Sequence, residues 1–400
     1  MALVEAAAGL CDLIWMIDGS LLEMQEMTEL LRRFGPVVDR SGGSAEDLAT
    51  AVAAHRPDGL TSYLDAGMAV YASLAVTLGL PFHSPATANA LTDKAGQRQL
   101  LASAGLTSPR CRVVPPGSGP DVLARVAPDQ QWPAILKPRS AQGSRYTFKA
   151  GDARHAAGLL DALGPDRPEM VLEDFLADAP GPIDSPYANY VSVESLAADG
   201  VLSHLALTGR FPLAENFRET GFFIPALLDP VDQEQVLALA GAAIEALGVR
   251  TGCLHTEIKF TPQGPVVIEV NGRVGGGVPE MLQRSCGLPL LELTLRVAMG
   301  EAVVVDGPLP SERIGYRLFL QPPSMSATIG AIDGVDAISD HPGVDTVSVH
   351  QGPGAALDWR DGSRNHILAV VGAVSSHEEL RAVERLLHQR VTVTYSEVWT

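Results

Sequence analysis

Two glutamates near residue 260 have a spacing that brings their carboxylates together. The segment HTEIKFTPQGPVVIEVNGRVGGG contains two apolar runs separated by turn-forming residues, which is typical of a β-hairpin. If Thr261 faces Pro265 across a three-residue turn, Glu257 lies opposite Glu269, and alternation along the strand puts Asn271 on the same face. Like charges directly opposite each other repel, so this cluster predicts a hard divalent cation such as Mg2+.

The residues after the hairpin favour a ligand site. Arg273 follows on the same side, and its planar fork of donors suits a carboxylate or a phosphate. A solvated hairpin with an acidic outer face is the alternative. The glycines at 272 and 275–277 weigh against it, because glycine lets a ligand or another backbone approach closely.

A second segment has the composition of a phosphate-binding loop. Lys137 ends an apolar run and is followed by the small residues Ser140, Gly143 and Ser144. Small residues let backbone N–H groups approach phosphate oxygens, and the lysine adds a point charge. The GxxxxGK[ST] pattern of a P-loop is absent, and a plain hairpin turn explains this loop equally well.

The apolar run VLEDFL carries two carboxylates, Glu173 and Asp174, immediately before Phe175. Buried carboxylates need partners, and an adenine amine or ribose hydroxyls would supply them. An exposed strand end is the alternative interpretation.

Hydrophobic periodicity predicts an α/β organisation that begins with a strand near the N-terminus. Residues 1–105 alternate apolar runs with amphipathic segments, an order that is typical of a parallel sheet covered by helices. Thr92 and Asp93 are candidate caps of a helix. The predicted helices span 21–34, 45–55, 66–78, 92–104, 231–247 and 376–388, and the clearest strands span 12–18, 36–39, 132–138, 171–176 and several short runs after residue 300.

Charge and hydropathy exclude two classes of partner. The formal net charge of −18 repels nucleic acid overall, so an anionic substrate needs local cations. No apolar run is long enough to span a bilayer, and the N-terminal residues lack the basic region of a signal peptide. We therefore expect a cytoplasmic protein that binds neither nucleic acid nor membranes.

The order of these segments resembles the ATP-grasp superfamily over nearly the whole chain. The pieces LTDKAGQRQLL, AILKPRSAQGS, VLEDF and the long hairpin segment carry the resemblance, which lies nearest the carboxylate–amine ligase branch with its L-amino acid ligases. It implies a mixed α/β and α+β fold. The implied divisions are a Rossmann-like pre-ATP-grasp domain over 1–105, an ATP-binding and catalytic region over 106–300 with subdomains 106–185 and 186–300, and a C-terminal α+β cap over 301–400.

The resemblance also implies roles for particular residues. Lys94 and Lys137 would contact the phosphates, beneath the loop that contains Ser140, Gly143 and Ser144. Glu173, Asp174 and Phe175 would form the adenine hinge. Glu257, Glu269 and Asn271 would bind one or two Mg2+, with Mn2+ as a substitute, and the catalytic residues would be Arg273, Glu269 and Lys137. Arg273 would meet the substrate carboxylate and its acyl phosphate. Further substrate candidates are Glu219, Glu194, Arg210 and Phe222, with a structural salt bridge or a surface arginine as the alternative for the charged ones. His255 shares the metal-site face, although a core histidine is the preferred interpretation.

Two departures from the family pattern limit the substrate assignment. An enlarged link over 177–189 leaves Asp178 as only a candidate for the ribose, and Phe222 stands where a histidine often follows ETG.

The implied activity is formation of an amide between an amino acid, or a similar small acid, and an amine through an acyl phosphate, with release of ADP and phosphate. An ATP-grasp carboxylase or purine-pathway-like ligase, and a non-catalytic nucleotide-binding regulator, are the alternatives. The intact acid set weighs against a regulator. A homodimer is expected by resemblance.

Overall fold

A computed structural model of the chain describes residues 1–117, 122–179 and 186–399. The N-terminal part is rich in helices and contains one parallel pair of strands. Its elements are α1 (Ala2–Ala7), β1 (Trp15–Ile17), α2 (Leu22–Leu31), β2 (Val37–Asp39), α3 (Ala45–Ala53), α4 (Met68–Leu78), α5 (Pro85–Thr92) and α6 (Lys94–Ser103).

The N-terminal part differs from the sequence prediction in two helices that were not predicted, α1 and α5. The first residues form α1, not a strand. Alanine favours a helix, and three of the six α1 residues are alanine. Helix α6 is capped as predicted, since the Asp93 side chain accepts a hydrogen bond from the Ala95 N–H.

A four-stranded antiparallel sheet with two helices follows. The elements are β3 (Cys111–Val114), α7 (Val122–Val126), β4 (Ala134–Pro138), β5 (Phe148–Ala150), α8 (Ala153–Leu163) and β6 (Met170–Asp174). The strands lie in the order β3-β6-β4-β5, and α7 and α8 pack on the sheet around a core that includes Leu136, Leu160 and Leu172. Residues 180–185, in the predicted enlarged link, lie outside the described residues.

The next elements build most of a large antiparallel sheet. They are β7 (Tyr190–Ala198), β8 (Val201–Arg210), β9 (Gly221–Ile224), α9 (Pro230–Ala246), β10 (Gly252–Thr261), β11 (Gly264–Asn271), α10 (Val278–Cys286) and α11 (Leu290–Ala298). Helix α9 packs on one face around Val236, Ala240 and Ile244. Helices α10 and α11 pack on part of the other face through Met281 and Leu290. These two helices leave the rest of that face uncovered.

The C-terminal segment completes the same sheet. Its elements are β12 (Ile314–Leu320), β13 (Ser326–Asp333), α12 (Val335–Ser339), β14 (Val344–Val349), β15 (Ala356–Leu357), β16 (Leu368–Val374), α13 (His377–Arg390) and β17 (Thr392–Trp399). The eight strands run in the order β11-β10-β7-β8-β9-β12-β16-β14, and β13, β15 and β17 form a separate small sheet. Sheet pairing therefore crosses residue 300, and the predicted domain divisions remain a proposal.

The hairpin of β10 and β11 has the predicted pairing of glutamates but a different turn. Thr261 pairs with Gly264 and not with Pro265, so the predicted three-residue turn is wrong and the loop contains two residues. A β-bulge then adds one residue to β11, and the register shift brings Glu257 opposite Glu269 after all. Among the described residues, no helix combines the length and the apolar composition that a membrane span requires.

Candidate active site

A cavity of about 430 Å3 is lined by residues of the four-stranded sheet, the free face of the eight-stranded sheet and loops from both ends of the chain. Most of the predicted site residues line it: Lys94, Lys137, Gly143, Ser144, Glu173, Asp174, Phe175, Arg210, Glu219, Phe222, Glu257, Glu269 and Arg273. Ser140, Asp178, Glu194 and Asn271 lie outside this lining, each held by a neighbour.

The sheet register explains why these side chains converge. In an antiparallel pair, directly opposite residues project to the same face. Glu257 lies opposite Glu269 on β11 and opposite Ser192 on β7. Farther along the sheet, Arg210 lies opposite Phe222 and Phe222 lies opposite Arg317. One sheet face therefore carries the acidic pair at one side and aromatic and basic residues at the other.

The two opposed glutamates are held by cations from other elements. Lys94 Nζ lies 2.8 Å from Glu269 Oε1 and donates to the Ala141 carbonyl at 2.6 Å. Burial alone would raise the pKa of Glu257, but the His255 contact at 3.5 Å and the charges of Arg210 and Arg273 lower it to about 2. The Glu257 carboxylate is therefore ionised at neutral pH, and Glu269 has the Lys94 ammonium as its partner.

The donor chemistry of this pair fits Mg2+. Carboxylate oxygens are hard ligands, and Mg2+ bound with a nucleotide needs only one or two of them. In the part of the chain that the structure describes, no group of three or more His, Cys, Asp or Glu side chains forms a complete cation cage. The residues therefore fit a cation whose coordination is completed by oxygens of another molecule, such as phosphates.

A buried polar chain supports the acidic pair from behind. His255 Nδ1 lies 2.8 Å from Glu194 Oε2, and Thr208 donates to Glu194 Oε1 at 2.6 Å. Burial lowers the pKa of His255, but the adjacent Glu194 carboxylate and then Glu257 raise it to about 9. Glu194 is 1% exposed, so its geometry matches the salt-bridge alternative. Asn271 is also buried, and its amide donates to the His255 carbonyl at 3.3 Å.

Lys137 belongs to a buried ion triad. Its Nζ lies 2.7 Å from Glu173 Oε2, and Arg98 Nε lies 3.1 Å from Glu173 Oε1. Burial would raise the pKa of Glu173, but the two cations outweigh it and lower the pKa to about 2. The Glu173 carboxylate therefore has two cationic partners within the protein, which differs from the predicted direct contact with adenine.

The end of β6 and the segment after it form the opposite wall. Asp174 accepts from Arg110 Nε at 2.9 Å, and Lys149 Nζ lies 4.0 Å from the Phe175 ring centroid. Asp178 is exposed and pairs with Lys259 at 2.6 Å. Lys259 lines the cavity, so Asp178 is close to it although outside its lining.

Arg210 is buried and not at the surface. It is 2% exposed, and its guanidinium lies between the rings of Tyr190 and Phe222, 5.4 and 5.3 Å from their centroids. It donates to Glu219 and to Ser192. The surface-arginine alternative is therefore wrong, and Arg210 connects the acidic side of the sheet face with its aromatic side.

Arg273 connects the N-terminal part to the site. Its Nε donates to Asp65 Oδ2 at 2.9 Å, and both side chains are largely buried. Gln142 comes from the small-residue loop. With its side-chain nitrogen assigned to the Asp65 side, which satisfies both neighbours, it donates to Asp65 at 2.9 Å and accepts from Arg364 at 3.0 Å. Three distant chain segments therefore meet around Arg273.

The small-residue loop is held by turns from two other parts of the chain. The Gly143 carbonyl accepts from the Ser363 N–H at 2.8 Å, and Ser144 Oγ donates to the Phe217 carbonyl at 2.8 Å. Ser140 Oγ donates to the Thr92 carbonyl at 2.9 Å, away from the cavity. The loop therefore covers the cavity through Gly143 and Ser144, while Ser140 anchors its start.

Sequence reasoning missed several polar residues at the site. They are Tyr63, Asp65, Arg98, Arg317, Arg364 and His366. Arg98 had a usable signal, because it lies four residues after Lys94 and shares its helix face. The others come from loops or from a strand pairing that the local sequence does not specify.

Comparisons with known proteins show the fold of the chain and a partial sequence match to a ligase. No family model matches the chain. It is 28% identical over 342 residues to y4rH, an uncharacterised protein of Sinorhizobium fredii, covering 82% of this chain and 67% of that protein. It is 31% identical over 131 residues to alanine–anticapsin ligase of Bacillus subtilis, covering 32% of this chain and 27% of that ligase.

Among solved structures, an L-amino acid ligase from Bacillus licheniformis superposes with a TM-score of 0.79, at 20% identity, covering 99% of this chain and 95% of that one. The chain thus has the ATP-grasp fold, and that prediction is confirmed. The partial sequence match to an amide-forming ligase agrees with the predicted ATP-dependent carboxylate–amine ligase, and that activity is taken up below as a proposal. Matches to the named ligase sequence span little of its length, so substrates and residue roles are taken up as proposals.

Proposed function

We propose that this protein activates the carboxylate of an amino acid, or of a similar small acid, as an acyl phosphate and joins it to an amine. The γ-phosphoryl group of ATP moves to a carboxylate oxygen, and ADP leaves. The amine nitrogen then attacks the carbonyl carbon, the bond to the phosphate oxygen breaks, and phosphate leaves. The observation that carries this proposal is the opposed pair Glu257 and Glu269 with Lys94 and Arg273 around one cavity.

The lysines are assigned to the nucleotide phosphates. Lys94 and Lys137 both line the cavity and are oriented by carboxylates, Lys94 by Glu269 and Lys137 by Glu173. A lysine is a compact point charge that suits phosphate oxygens. Because the chain is strongly acidic, these local cations are what attracts and holds the triphosphate. Gly143 and Ser144 cover them from the loop.

Glu257 and Glu269 are assigned to Mg2+, with Asn271 as the third donor and Mn2+ as a substitute. One or two Mg2+ ions, when bound, neutralise phosphate charge and orient the γ-phosphoryl group. The two carboxylates face each other across the hairpin, and the low pKa of Glu257 keeps it available as a ligand. Asn271 contributes only if its buried amide turns from the His255 carbonyl.

Arg273 is assigned to the substrate carboxylate and to the acyl phosphate that forms from it. Its fork can contact two oxygens, and Asp65 fixes the Nε side of the guanidinium. Charge grows on the transferring phosphoryl oxygens, so a fixed cation there stabilises the transition state more than the ground state. One such donor contributes roughly 3–4 kcal/mol.

The base and sugar of ATP are assigned to the end of β6. Phe175 offers an aromatic face to the base, and Asp174 offers a carboxylate. Asp178 pairs with Lys259, which lines the cavity, so Asp178 lies close enough to contact a ribose bound there. The enlarged link over 177–189 leaves the ribose contact at Asp178 as a candidate. The homodimer and the cytoplasmic location stay predictions.

Two alternative functions keep the same site. A carboxylase or a purine-pathway-like ligase would use the same phosphates and cations with another acid. A nucleotide-binding regulator would bind ATP without turnover. The paired glutamates and Arg273 favour an enzyme, and the sequence match to an alanine–anticapsin ligase favours amide formation.

Hydroxylamine trapping tests the proposal directly. Full-length protein, ATP and Mg2+ are incubated with pools of amino acids and small acids plus hydroxylamine, and hydroxamate and ADP are measured together. Hydroxamate from one acid, released with equal ADP, is the expected result. ADP release that depends on bicarbonate, with transfer of its carboxyl group to an acceptor, would support the first alternative. ATP binding without ADP formation from any pool would support the regulator.

A further inference from the structure

Two neighbouring residues bond the small-residue loop to two different parts of the site. Lys94 Nζ donates to the Ala141 carbonyl at 2.6 Å and lies 2.8 Å from Glu269 Oε1. One residue further on, the Gln142 amide donates to Asp65 Oδ2 at 2.9 Å, in the orientation that satisfies both of its neighbours. Because Ala141 and Gln142 are adjacent, a movement of the loop changes both contacts together.

The Asp65 carboxylate lies between this loop and Arg273. Arg273 Nε donates to the same oxygen, Asp65 Oδ2, at 2.9 Å, and Arg273 Nη1 donates to the Val274 carbonyl at 3.2 Å. Among the described residues, Nη2 is therefore the nitrogen of Arg273 that has no protein acceptor, in a side chain that lines the cavity. The orientation of this free nitrogen depends on where Asp65 holds Nε.

The second oxygen of Asp65 makes this arrangement sensitive to the loop. Oδ1 is buried and has no hydrogen-bond partner in the described part of the chain. A buried acceptor without a partner costs free energy, so the carboxylate gains by turning Oδ1 towards a donor or towards water. The two donors on Oδ2, Gln142 and Arg273, oppose this turn. Loss of the Gln142 donor therefore releases Asp65, and with it Arg273.

A bound nucleotide would fix the loop that presents Gln142. In the proposed function, Gly143 and Ser144 cover the phosphates, and Gln142 directly precedes them. Arg364 donates to the other side of the Gln142 amide at 3.0 Å. A fixed loop keeps Gln142 on Asp65, and a fixed Asp65 keeps the guanidinium in one orientation. The nucleotide and the substrate carboxylate therefore affect each other's binding although they contact different residues.

We propose that Asp65 is a positioning residue that couples closure of the loop over 140–147 on the nucleotide to the orientation of Arg273. The acid substrate then binds more tightly to the protein–nucleotide complex than to the free protein. Linkage requires the acid to tighten nucleotide binding by the same factor. This inference rests on the proposed function, because it takes Arg273 as the group that holds the substrate carboxylate.

Calorimetry with an unreactive nucleotide measures this factor. The dissociation constant of the β,γ-imido analogue of ATP, with Mg2+, is measured with and without the acid that gives hydroxamate in the pool experiment. For the wild type we expect the acid to lower it about tenfold, which is about 1.4 kcal/mol. Gln142→Ala and Asp65→Asn should each reduce the factor to less than about threefold. The double variant should reduce it no further, because both residues act through one carboxylate.

Asp361→Asn is the matched control. It removes the pair between Asp361 and Arg145 at 3.7 Å, which joins the same loop to the turn over 359–365. Both side chains are about half exposed, so the pair contributes little, and the tenfold factor should persist.

Steady-state kinetics separates positioning from a general loss of structure. In Gln142→Ala, the KM for the acid at saturating ATP should rise about tenfold. The dissociation constant of the analogue without acid should change less than about threefold. A merely structural role would change both constants together.

Hydrogen exchange tests the coupling without any acid. Residues 273–277 lie between β11 and α10, outside helices and strands, so their amides report on the segment that carries Arg273. In the wild type, the analogue should slow exchange over both 140–147 and 273–277. In Gln142→Ala and Asp65→Asn it should slow exchange over 140–147 alone.

The outcomes distinguish this coupling from the proposed function. A wild type whose analogue binding is unaffected by the acid, or a tenfold factor that persists in Gln142→Ala, would overturn the coupling. So would exchange over 273–277 that slows equally in the wild type and both variants. A wild type that forms no hydroxamate, but in which slowed exchange over 273–277 requires Asp65 and Gln142, would contradict the proposed function and support the link between the loop and Arg273. Absence of both results would overturn both.

Discussion

The ion triad of Glu173, Lys137 and Arg98 makes a quantitative prediction. The three residues are 3%, 8% and 4% exposed, so the two cations share one buried counter-ion. Glu173→Gln keeps the shape of the side chain and removes its charge. Leaving buried charges without their partner costs about 3–5 kcal/mol. Strands β4 and β6, which carry Lys137 and Glu173, should be destabilised by that amount.

Hydrogen exchange of the backbone amides in β4 and β6 measures this loss locally. At pH 7 we expect their exchange in Glu173→Gln to accelerate by roughly two to three orders of magnitude, since about 1.4 kcal/mol is a factor of ten. Glu169→Gln is the matched control. Glu169 pairs with Arg139, both side chains are about one-third exposed, and such a pair contributes at most about 1 kcal/mol. Adding Lys137→Met to Glu173→Gln should restore part of the protection.

The same triad predicts a dependence on pH. The pKa of Glu173 is lowered from 4.5 to about 2 in the folded protein. A lowered carboxyl pKa stabilises the fold fully above the unfolded value, and the effect is lost as pH falls from about 4.5 towards 2. The difference between wild type and Glu173→Gln should therefore narrow across this range. Equal exchange in Glu173→Gln and Glu169→Gln at pH 7, or a difference that stays constant to pH 2, would refute the reasoning.

Further predictions concern the reacting groups and the loop. Arg273→Ala should lower turnover about 100- to 1,000-fold with little change in thermal midpoint, from the roughly 3–4 kcal/mol assigned to one transition-state donor, and single-turnover ADP release measures it. Glu269→Gln should raise the Mg2+ concentration needed for half-maximal hydroxamate formation at least tenfold; an unchanged Mg2+ titration would remove Glu269 from the metal site. Gly362→Ala should raise the KM for ATP and expose the 140–147 loop to protease, because its added Cβ would lie 2.1 Å from the Gly143 carbonyl. Gly354→Ala has a similar positive φ and open space, so it should show backbone strain alone, and equal effects in both variants would contradict this explanation.

The sequence predicted the pairing of the two glutamates better than the hairpin geometry that produces it. Glu257 and Glu269 were expected to face each other, and they do, although the predicted turn was wrong and a β-bulge restores the pairing. Side-chain alternation is local, so a hairpin can be analysed from its own residues. A bulge inserts one residue without a strong sequence signature. The predicted turn was one residue too long and the bulge of one residue was not predicted, so the two errors cancel in the register at Glu257 and Glu269.

Residues that depend on distant pairing were not predictable in this way. Arg317 reaches the cavity because β12 pairs with β9, almost a hundred residues earlier. His366 reaches it because β16 pairs with β12, which places the loop before β16 at the same end of the cavity. Asp65 contacts Arg273 across 208 positions. Such contacts are set by which strands become neighbours, and a single sequence contains no local pattern that fixes strand order.

The distribution of charge explains how an acidic protein can bind a polyanion. The whole chain has a formal charge of −18, yet the cavity is lined by nine basic and five acidic side chains, a surplus of four positive charges. Three of the chain's four lysines, Lys94, Lys137 and Lys259, are among them. Many of these cations are already paired with carboxylates, which orient them and limit their mutual repulsion. An incoming triphosphate therefore meets positioned cations in a partly enclosed cavity, where attraction is screened less by salt than at the surface. The rest of the chain is acidic, so the proposed nucleotide site differs from it in the sign of its charge.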